Sequence, residues 1–191
     1  MVFATRIQEP EIRELFRYWL ERRPPGGVPD WNSIDPRTIP HKYLPNLFLY
    51  EYVPEGRFRC KLIGTDLTRI FGRDETGRYL DEILDGTAAT ERLELFKQTV
   101  ASGRPVYYRC RMTLGRGERR TLSRILLPVS SGGGNIDQIF GMARYGPAEH
   151  RARQTKPGGS ENRLSAVISA TDDDLTSDDA SAQNSSLTAF R

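Results

Sequence analysis

Hydrophobic residues change their spacing at Gly64, and this change organises the middle of the chain. From Arg57 to Leu62 apolar residues alternate with basic ones, which is typical of a half-buried strand. Beyond Gly64 the apolar residues recur at helical spacing, and a second short helix is expected after Thr76-Gly77. The pattern therefore predicts one strand that leads into several short helices.

The neighbouring elements follow from the same rules. Residues 47–53 are apolar on both faces and turn into the strand that begins at Arg57, so an antiparallel hairpin is predicted. A longer helix is predicted over residues 87–102. Three hairpin-linked strands follow it, at residues 105–114, 119–129 and 136–145. An α+β fold, with an antiparallel sheet and helices on one face, is the simplest architecture for this order.

The N-terminal residues 1–27 predict an amphipathic helix and a linker. Pro10 suits the first turn of a helix, and an apolar stripe runs from Ile12 to Leu20 before the prolines that follow Arg23. Two interpretations of the stripe stay open. It covers the outer face of its own sheet, or it also contributes to a homodimer.

The C-terminal residues 148–191 predict a disordered tail after a domain at residues 28–147. Residues 155–189 are rich in small polar residues, and their few apolar side chains cannot offset the entropy of ordering them. The alternative is that residues 164–175 fold on contact with a partner.

Composition favours one soluble domain with an appendage, because 191 residues with 37% hydrophobic content can bury one ordinary core. No apolar run approaches the ~20 residues of a membrane span, and the charged N-terminus lacks the apolar region of a signal peptide. Cys60 and Cys110 could pair in principle. A cytoplasmic location is expected.

Charge is distributed unevenly along the chain. The formal net charge is +3, but residues 148–191 hold five Lys or Arg against seven Asp or Glu, so residues 1–147 carry +5. Outward basic rows are predicted on two strands and form the hypothetical surface for an acidic partner: Arg57, Arg59, Lys61, Arg109 and Arg111. Nucleic-acid binding is the alternative use of this surface, although no aromatic and basic platform accompanies it.

The sequence offers little that points to catalysis. The two histidines, His41 and His150, lie outside the predicted strands and helices. No phosphate-binding loop, zinc spacing or nucleophile elbow is present. The chain is therefore not expected to be an enzyme.

Several motifs resemble the PAS sensor fold and, more narrowly, a subgroup of stand-alone PAS proteins from alphaproteobacteria. The resemblance covers roughly residues 10–146 and lies in Phe58-x-x-x-Leu62-x-Gly64-Thr65, Phe71-Gly72-Arg73-Asp74, Thr76-Gly77-Arg78-Tyr79-Leu80-Asp81, Ser102-Gly103-Arg104-Pro105-Val106 and Leu126-Leu127-Pro128-Val129. It implies five antiparallel strands in the order 2-1-5-4-3, with short helices on one face and an added N-terminal helix. This order places Cys60 and Cys110 at opposite edges of the sheet, so two free thiols are expected. It also implies a bacterial sensory and signalling module.

The resemblance also indicates which cofactors the domain is not expected to bind. Haem-binding PAS domains use a histidine on the helix that corresponds to residues 87–102, and none is present there. Covalent flavin photochemistry needs a helical Asn-Cys-Arg motif, whereas both thiols here fall in predicted strands. Haem and covalent flavin are therefore not expected, and noncovalent flavin has no support. Arg73 and Asp74 match motif residues of the family, and an ion pair between them is expected.

A ligand cavity is predicted between the inner face of the sheet and the short helices, with plain core as the alternative. Alternation and helical spacing give its predicted lining: Cys60, Leu62, Phe71, Tyr79, Phe96, Tyr108, Cys110, Met112, Phe140 and Met142. Such a lining suits a small apolar or aromatic ligand. The expected function is a regulatory module that acts on another signalling protein. Nucleic-acid binding is the rival function.

Overall fold

The computed structural model describes residues 2–83, 86–114, 118–148 and 164–175. The strands are β1 (Leu47–Tyr52), β2 (Phe58–Ile63), β3 (Val106–Leu114), β4 (Glu118–Ser130), β5 (Ile136–Tyr145) and β6 (Leu164–Ser169). The helices are α1 (Val2–Arg6), α2 (Pro10–Glu21), α3 (Thr65–Phe71), α4 (Leu80–Ile83), α5 (Gly86–Ser102) and α6 (Asp172–Leu175). None of these helices has the length and hydrophobicity of a membrane span.

The six strands form one antiparallel sheet in the order β2-β1-β5-β4-β3-β6. The predicted order 2-1-5-4-3 is confirmed, and β6 extends the sheet beyond β3. Hairpins join β1 to β2, β3 to β4 and β4 to β5. The two strands at the centre of the sheet, β5 and β4, follow β1, β2 and β3 in the chain. The α+β fold is confirmed as well.

Helices α3, α4 and α5 cover one face of the sheet, which we call the inner face. Gly64 begins α3, and a Cβ atom at this position would lie 2.3 Å from the Pro45 carbonyl oxygen. The close approach therefore excludes any larger side chain. Gly72 ends α3 at a φ of +74°, in the left-handed region that favours glycine. Glycine thus allows the strand to turn sharply into the helices of this face.

Helices α1 and α2 cover the opposite, outer face. The stripe of α2 is buried there from Ile12 to Trp19, and the Trp19 Nε1 donates a hydrogen bond of 2.8 Å to the Pro128 carbonyl oxygen of β4. The structure thus confirms that the stripe covers its own sheet. Three 3-10 turns between α2 and β1, at Trp31–Ser33, Pro36–Thr38 and His41–Asn46, complete this layer.

Residues 164–175 differ from the predicted disordered tail. They form β6, which pairs with β3, and α6, which lies against α1. The Asp174 carboxylate accepts a 2.8 Å hydrogen bond from the Phe3 backbone N–H and further bonds from Thr171. The low apolar content of this segment did not indicate that it is ordered, because its hydrogen-bond partners lie on the edge strand β3. Residues 149–163 and 176–191 of the predicted tail lie outside the described residues.

Candidate functional site

Six of the ten predicted cavity residues lie on the inner face. Cys60, Phe96, Tyr108, Cys110 and Met112 are buried in one hydrophobic cluster, and Phe71 is half-buried against it. The Phe96 ring meets the Tyr50 ring edge-on at a centroid distance of 5.3 Å. The structure therefore brings most of the predicted lining together, with aromatic rings packed between the sheet and α5.

Two predicted lining residues lie at the surface. A β-bulge in β2 lies between the pairs Leu49–Leu62 and Tyr50–Cys60, so one residue, Lys61, has no partner in β1. The bulge turns Leu62 away from the inner face, and 41% of its surface is exposed. Tyr79 lies against the Arg57 guanidinium, 3.7 Å from its ring centroid. Neither residue can line the inner face.

Phe140 and Met142 lie on the outer face, so their assignment to the cavity is wrong. Both belong to the cluster that packs under α1 and α2. In β5 the inner positions are instead Ile139, Gly141 and Ala143. Phe140 and Met142 therefore fill the outer layer, while Gly141 leaves room on the inner face.

Gly141 makes room for an aromatic ring on the inner face. A Cβ atom on this residue would lie 2.5 Å from the Phe48 ring and 2.1 Å from the Ile125 carbonyl oxygen. The Phe48 ring in turn lies 4.9 Å from the guanidinium carbon of Arg124. The missing side chain therefore lets β1 and β4 contribute adjacent groups to the site.

Arg124 lies at the centre of the inner face, and it was absent from the predicted site. It pairs with Tyr108 across β3 and β4, and its Nη1 donates a 3.2 Å hydrogen bond to the Tyr108 hydroxyl. Only 4% of its surface is exposed. A cation is therefore held within an aromatic cluster in the middle of the sheet.

A second buried arginine faces it from α5. Arg92 is 2% exposed, and its Nη2 lies 3.5 Å from the Cys110 Sγ. Cys110 and Tyr108 are two residues apart on β3, and side chains two apart on a strand share a face. The two guanidinium groups therefore approach neighbouring points of one strand.

Three polar atoms at this site have no hydrogen-bond partner within the described part of the chain. They are the Nε atoms of Arg92 and Arg124 and the hydroxyl of Tyr145, and all three are buried. No carboxylate of the described residues lies within 4.0 Å of either guanidinium group. Because buried polar groups are nearly always satisfied, this arrangement is incomplete.

In the loop after α3, by contrast, a buried carboxylate has arginine partners. The Glu75 carboxylate, 1% exposed, lies 2.6 Å from the Arg73 Nε and 2.8 Å from the Arg78 Nη1. Arg73 therefore pairs with Glu75, and the expected pair with Asp74 is wrong. The Asp74 carboxylate instead accepts a hydrogen bond from the Thr76 backbone N–H. The buried charge of Glu75 is therefore compensated within its own loop.

Burial keeps Tyr145, Tyr50 and Cys60 uncharged at neutral pH. Burial raises the pKa of Tyr145 to about 12, although the Arg124 guanidinium opposes this shift. Burial also raises the pKa of Tyr50 and brings the pKa of the Cys60 thiol to about 11. Because arginine stays protonated in proteins, the site carries two positive charges.

The comparisons with known proteins agree with this architecture. The sequence profile of the PAS domain family matches residues 7–144. The chain belongs to the PAS domain family. No curated protein sequence matches the chain significantly.

Two solved structures resemble this PAS domain weakly. The VqmA–ligand–DNA complex of Vibrio cholera has 15% sequence identity and a TM-score of 0.48, over 60% of this chain and 52% of that chain. The LOV protein of Rhodobacter sphaeroides has 20% identity and a TM-score of 0.41, over 52% of this chain and 59% of that chain. This chain thus spans little more than half the length of either of the two solved chains.

An open cleft of about 570 Å³ lies at one end of the PAS sheet. Its charged lining is paired, as with Asp66 and Arg69 at 2.9 Å, and with Glu118 and Arg120. Phe71 and Tyr145 line the cleft and also pack against the inner-face cluster, with ring centroids 6.3 Å apart. These two rings therefore lie between the cleft and the inner-face cluster.

Sequence reasoning had only a weak signal for the two arginines. In β4, Arg124 is flanked at alternate positions by Leu122 and Leu126, and an arginine between inward apolar residues of a central strand is unusual. Arg92 gave no such signal, because a charge on a helix is ordinarily a solvated residue. The helix simply presents Arg92 together with Phe96, one turn apart, toward the sheet.

Proposed function

We propose that this PAS domain senses a small molecule bound at the inner face and signals through another protein. As a PAS domain the chain is a sensory or regulatory module. The observation that carries the ligand proposal is the set of unpaired buried polar atoms on Arg92, Arg124 and Tyr145. An arrangement that lacks its hydrogen-bond partners is expected at a site that a ligand completes.

The energetics support a binding role over a structural one. Within the described residues the two buried cations have no carboxylate partner, and each ion loses several kcal/mol of solvation on burial. An apolar side chain of similar size would pack there without that loss. A ligand that supplies acceptors would recover the loss upon binding.

The sheet also offers a physical connection from the site to the N-terminal layer. Tyr107 and Ser123 are the chain neighbours of Tyr108 and Arg124, and they lie on the outer face. Their hydroxyl groups donate hydrogen bonds of 2.7 and 2.6 Å to the Glu9 carboxylate, which directly precedes α2. A shift of β3 or β4 upon ligand binding would therefore reach the start of α2. We propose that this shift alters the surface that the partner recognises.

The predicted acidic-partner surface receives less support. Arg57 pairs with Asp81 and Glu82 at 2.8 Å, and Arg59 and Lys61 both pair with Glu51. These charges are already balanced within the domain. The same ion pairs reduce the positive charge that these residues would offer to a nucleic acid.

A homodimer stays a proposal, with one restriction on its interface. Most of the apolar stripe of α2, from Ile12 to Trp19, is buried against the chain's own sheet. A dimer through the N-terminal helices would therefore rest on other groups, such as Val2, which is 67% exposed. Light scattering of the full chain measures the oligomeric state directly.

Native mass spectrometry tests the ligand proposal. The full chain, purified without denaturants, is expected to carry a small molecule that Arg124→Met loses and that Arg17→Met retains. Arg17 lies exposed on α2, so this control makes the same charge change away from the site. A chain that carries no small molecule, and binds none of the probes described below, would refute the proposed function.

A further inference from the structure

We infer that the ligand is a small organic carboxylate, held by the guanidinium groups of Arg92 and Arg124 and by the Tyr145 hydroxyl. This inference rests on the proposed function and specifies the chemical class of the ligand. It differs from the predicted apolar ligand in requiring negative charge.

The unsatisfied atoms at the site are hydrogen-bond donors. Each Nε of Arg92 and Arg124 carries an N–H group and has no acceptor capacity. The Tyr145 hydroxyl keeps its proton at neutral pH, because burial raises its pKa to about 12. The missing partner must therefore supply acceptors, which excludes ammonium groups and other donor-only ligands.

Charge balance points in the same direction. Two buried positive charges share one face of the sheet, and the described residues provide no carboxylate within ion-pair distance. The loop after α3 shows the reverse arrangement, in which a buried Glu75 carboxylate lies between two partly exposed arginines. A ligand carboxylate would play the corresponding role between Arg92 and Arg124.

The surroundings favour a carboxylate over an inorganic anion. A carboxylate is planar and accepts two parallel hydrogen bonds from a guanidinium group. The walls of the site are aromatic, since Phe58, Phe96 and Tyr50 pack with ring centroids 5.2 and 5.3 Å apart. These walls suit an apolar remainder, whereas phosphate or sulfate would bury all its oxygens among rings. The close spacing of the rings also limits the ligand to a small size.

Access is available through the cleft at the end of the sheet. Phe71 and Tyr145 form the boundary between that cleft and the inner-face cluster. Rotation of either ring would admit a ligand from the cleft into the cluster without unfolding the sheet. The paired charges of the cleft leave the two buried arginines as the uncompensated attraction for an anion.

Calorimetric titration of the full chain with sodium acetate, benzoate and succinate tests the inference, at constant ionic strength set by sodium chloride. At least one carboxylate is expected to bind saturably and to raise the unfolding temperature by several degrees. Arg92→Met and Arg124→Met should each weaken that binding at least tenfold, and Tyr145→Phe severalfold. Arg17→Met should leave it unchanged. Sodium sulfate and phosphate should bind more weakly than the best carboxylate.

Several outcomes would overturn the inference. If all three carboxylates raise the unfolding temperature no more than sodium chloride does, the site takes no carboxylate of this size. Binding that survives Arg92→Met and Arg124→Met lies elsewhere on the chain. A variant that fails to fold is replaced by Arg124→Lys, which keeps the charge but loses the planar group and should still weaken binding. A neutral or basic molecule found by mass spectrometry would refute the carboxylate and leave the proposed function intact.

Discussion

Replacing the buried Arg124 by methionine isolates the energetic claim behind the site. Methionine approaches the length of the arginine stem and adapts to irregular apolar space. In the ligand-free protein the change removes one cation, its 3.2 Å hydrogen bond to Tyr108 and its contact with the Phe48 ring. Everything else at the site stays in place.

The opposing contributions can be compared from the geometry. A charged hydrogen bond contributes about 1.5–3 kcal/mol, and a buried cation–π contact about 0.5–2 kcal/mol. Against them stands the desolvation of an unpaired ion at 4% exposure, which is several kcal/mol. The free energy of unfolding should therefore stay unchanged or rise by up to about 2 kcal/mol in Arg124→Met.

Urea unfolding followed by the fluorescence of Trp19 and Trp31 measures this difference. Arg17→Met is the matched control and should lie within about 0.5 kcal/mol of the parent chain. A loss of more than about 2 kcal/mol in Arg124→Met would refute the reasoning, because the guanidinium would then stabilise the ligand-free fold.

Three further predictions concern the layers around the site. Asp174→Ala should lower the free energy of unfolding by about 1–3 kcal/mol, measured in urea. Burial raises the Asp174 pKa, but the hydrogen bonds from Phe3 and its neighbours outweigh it and lower the pKa overall. The difference from Asp174→Ala should therefore be full above the ordinary carboxyl pKa and shrink as the pH falls below it; a constant difference would contradict this. Gly141→Ala should destabilise the fold by about 1–3 kcal/mol or more and abolish carboxylate binding by displacing Phe48, and an unchanged binding isotherm would count against the packing argument. Trp19→Phe should cost about 1–3 kcal/mol by circular dichroism in urea, since it leaves a buried carbonyl unpaired, and a neutral result would deny that role.

Topology and layer assignment could be predicted from the sequence because both rest on regular spacing. The alternation in β3 correctly assigned Tyr108, Cys110 and Met112 to one face. The alternation pattern assigned the wrong face to residues of β2 and β5. The bulge at Lys61 reversed Leu62, and the large residues of β5 were placed on the wrong face because Gly141 carries no apolar signal.

The site itself depends on features that spacing does not encode. Arg92 and Arg124 are charged, and a charge ordinarily indicates solvent, so only tertiary structure brings them under the rings of the inner face. The segment that forms β6 and α6 was missed for a related reason. Its stability comes from the β3 edge and from the Phe3 backbone, far away in the sequence.

Nuclear magnetic resonance of the arginine Nε–H groups tests the central claim most directly. The signals of Arg92 and Arg124 are assigned by their loss in the two methionine variants, and the full chain is titrated with its tightest-binding carboxylate. Both Nε–H signals should move downfield to a saturating value as each gains an acceptor, while that of Arg17 stays in place. Two signals that remain unmoved at saturation would contradict a ligand site at the inner face.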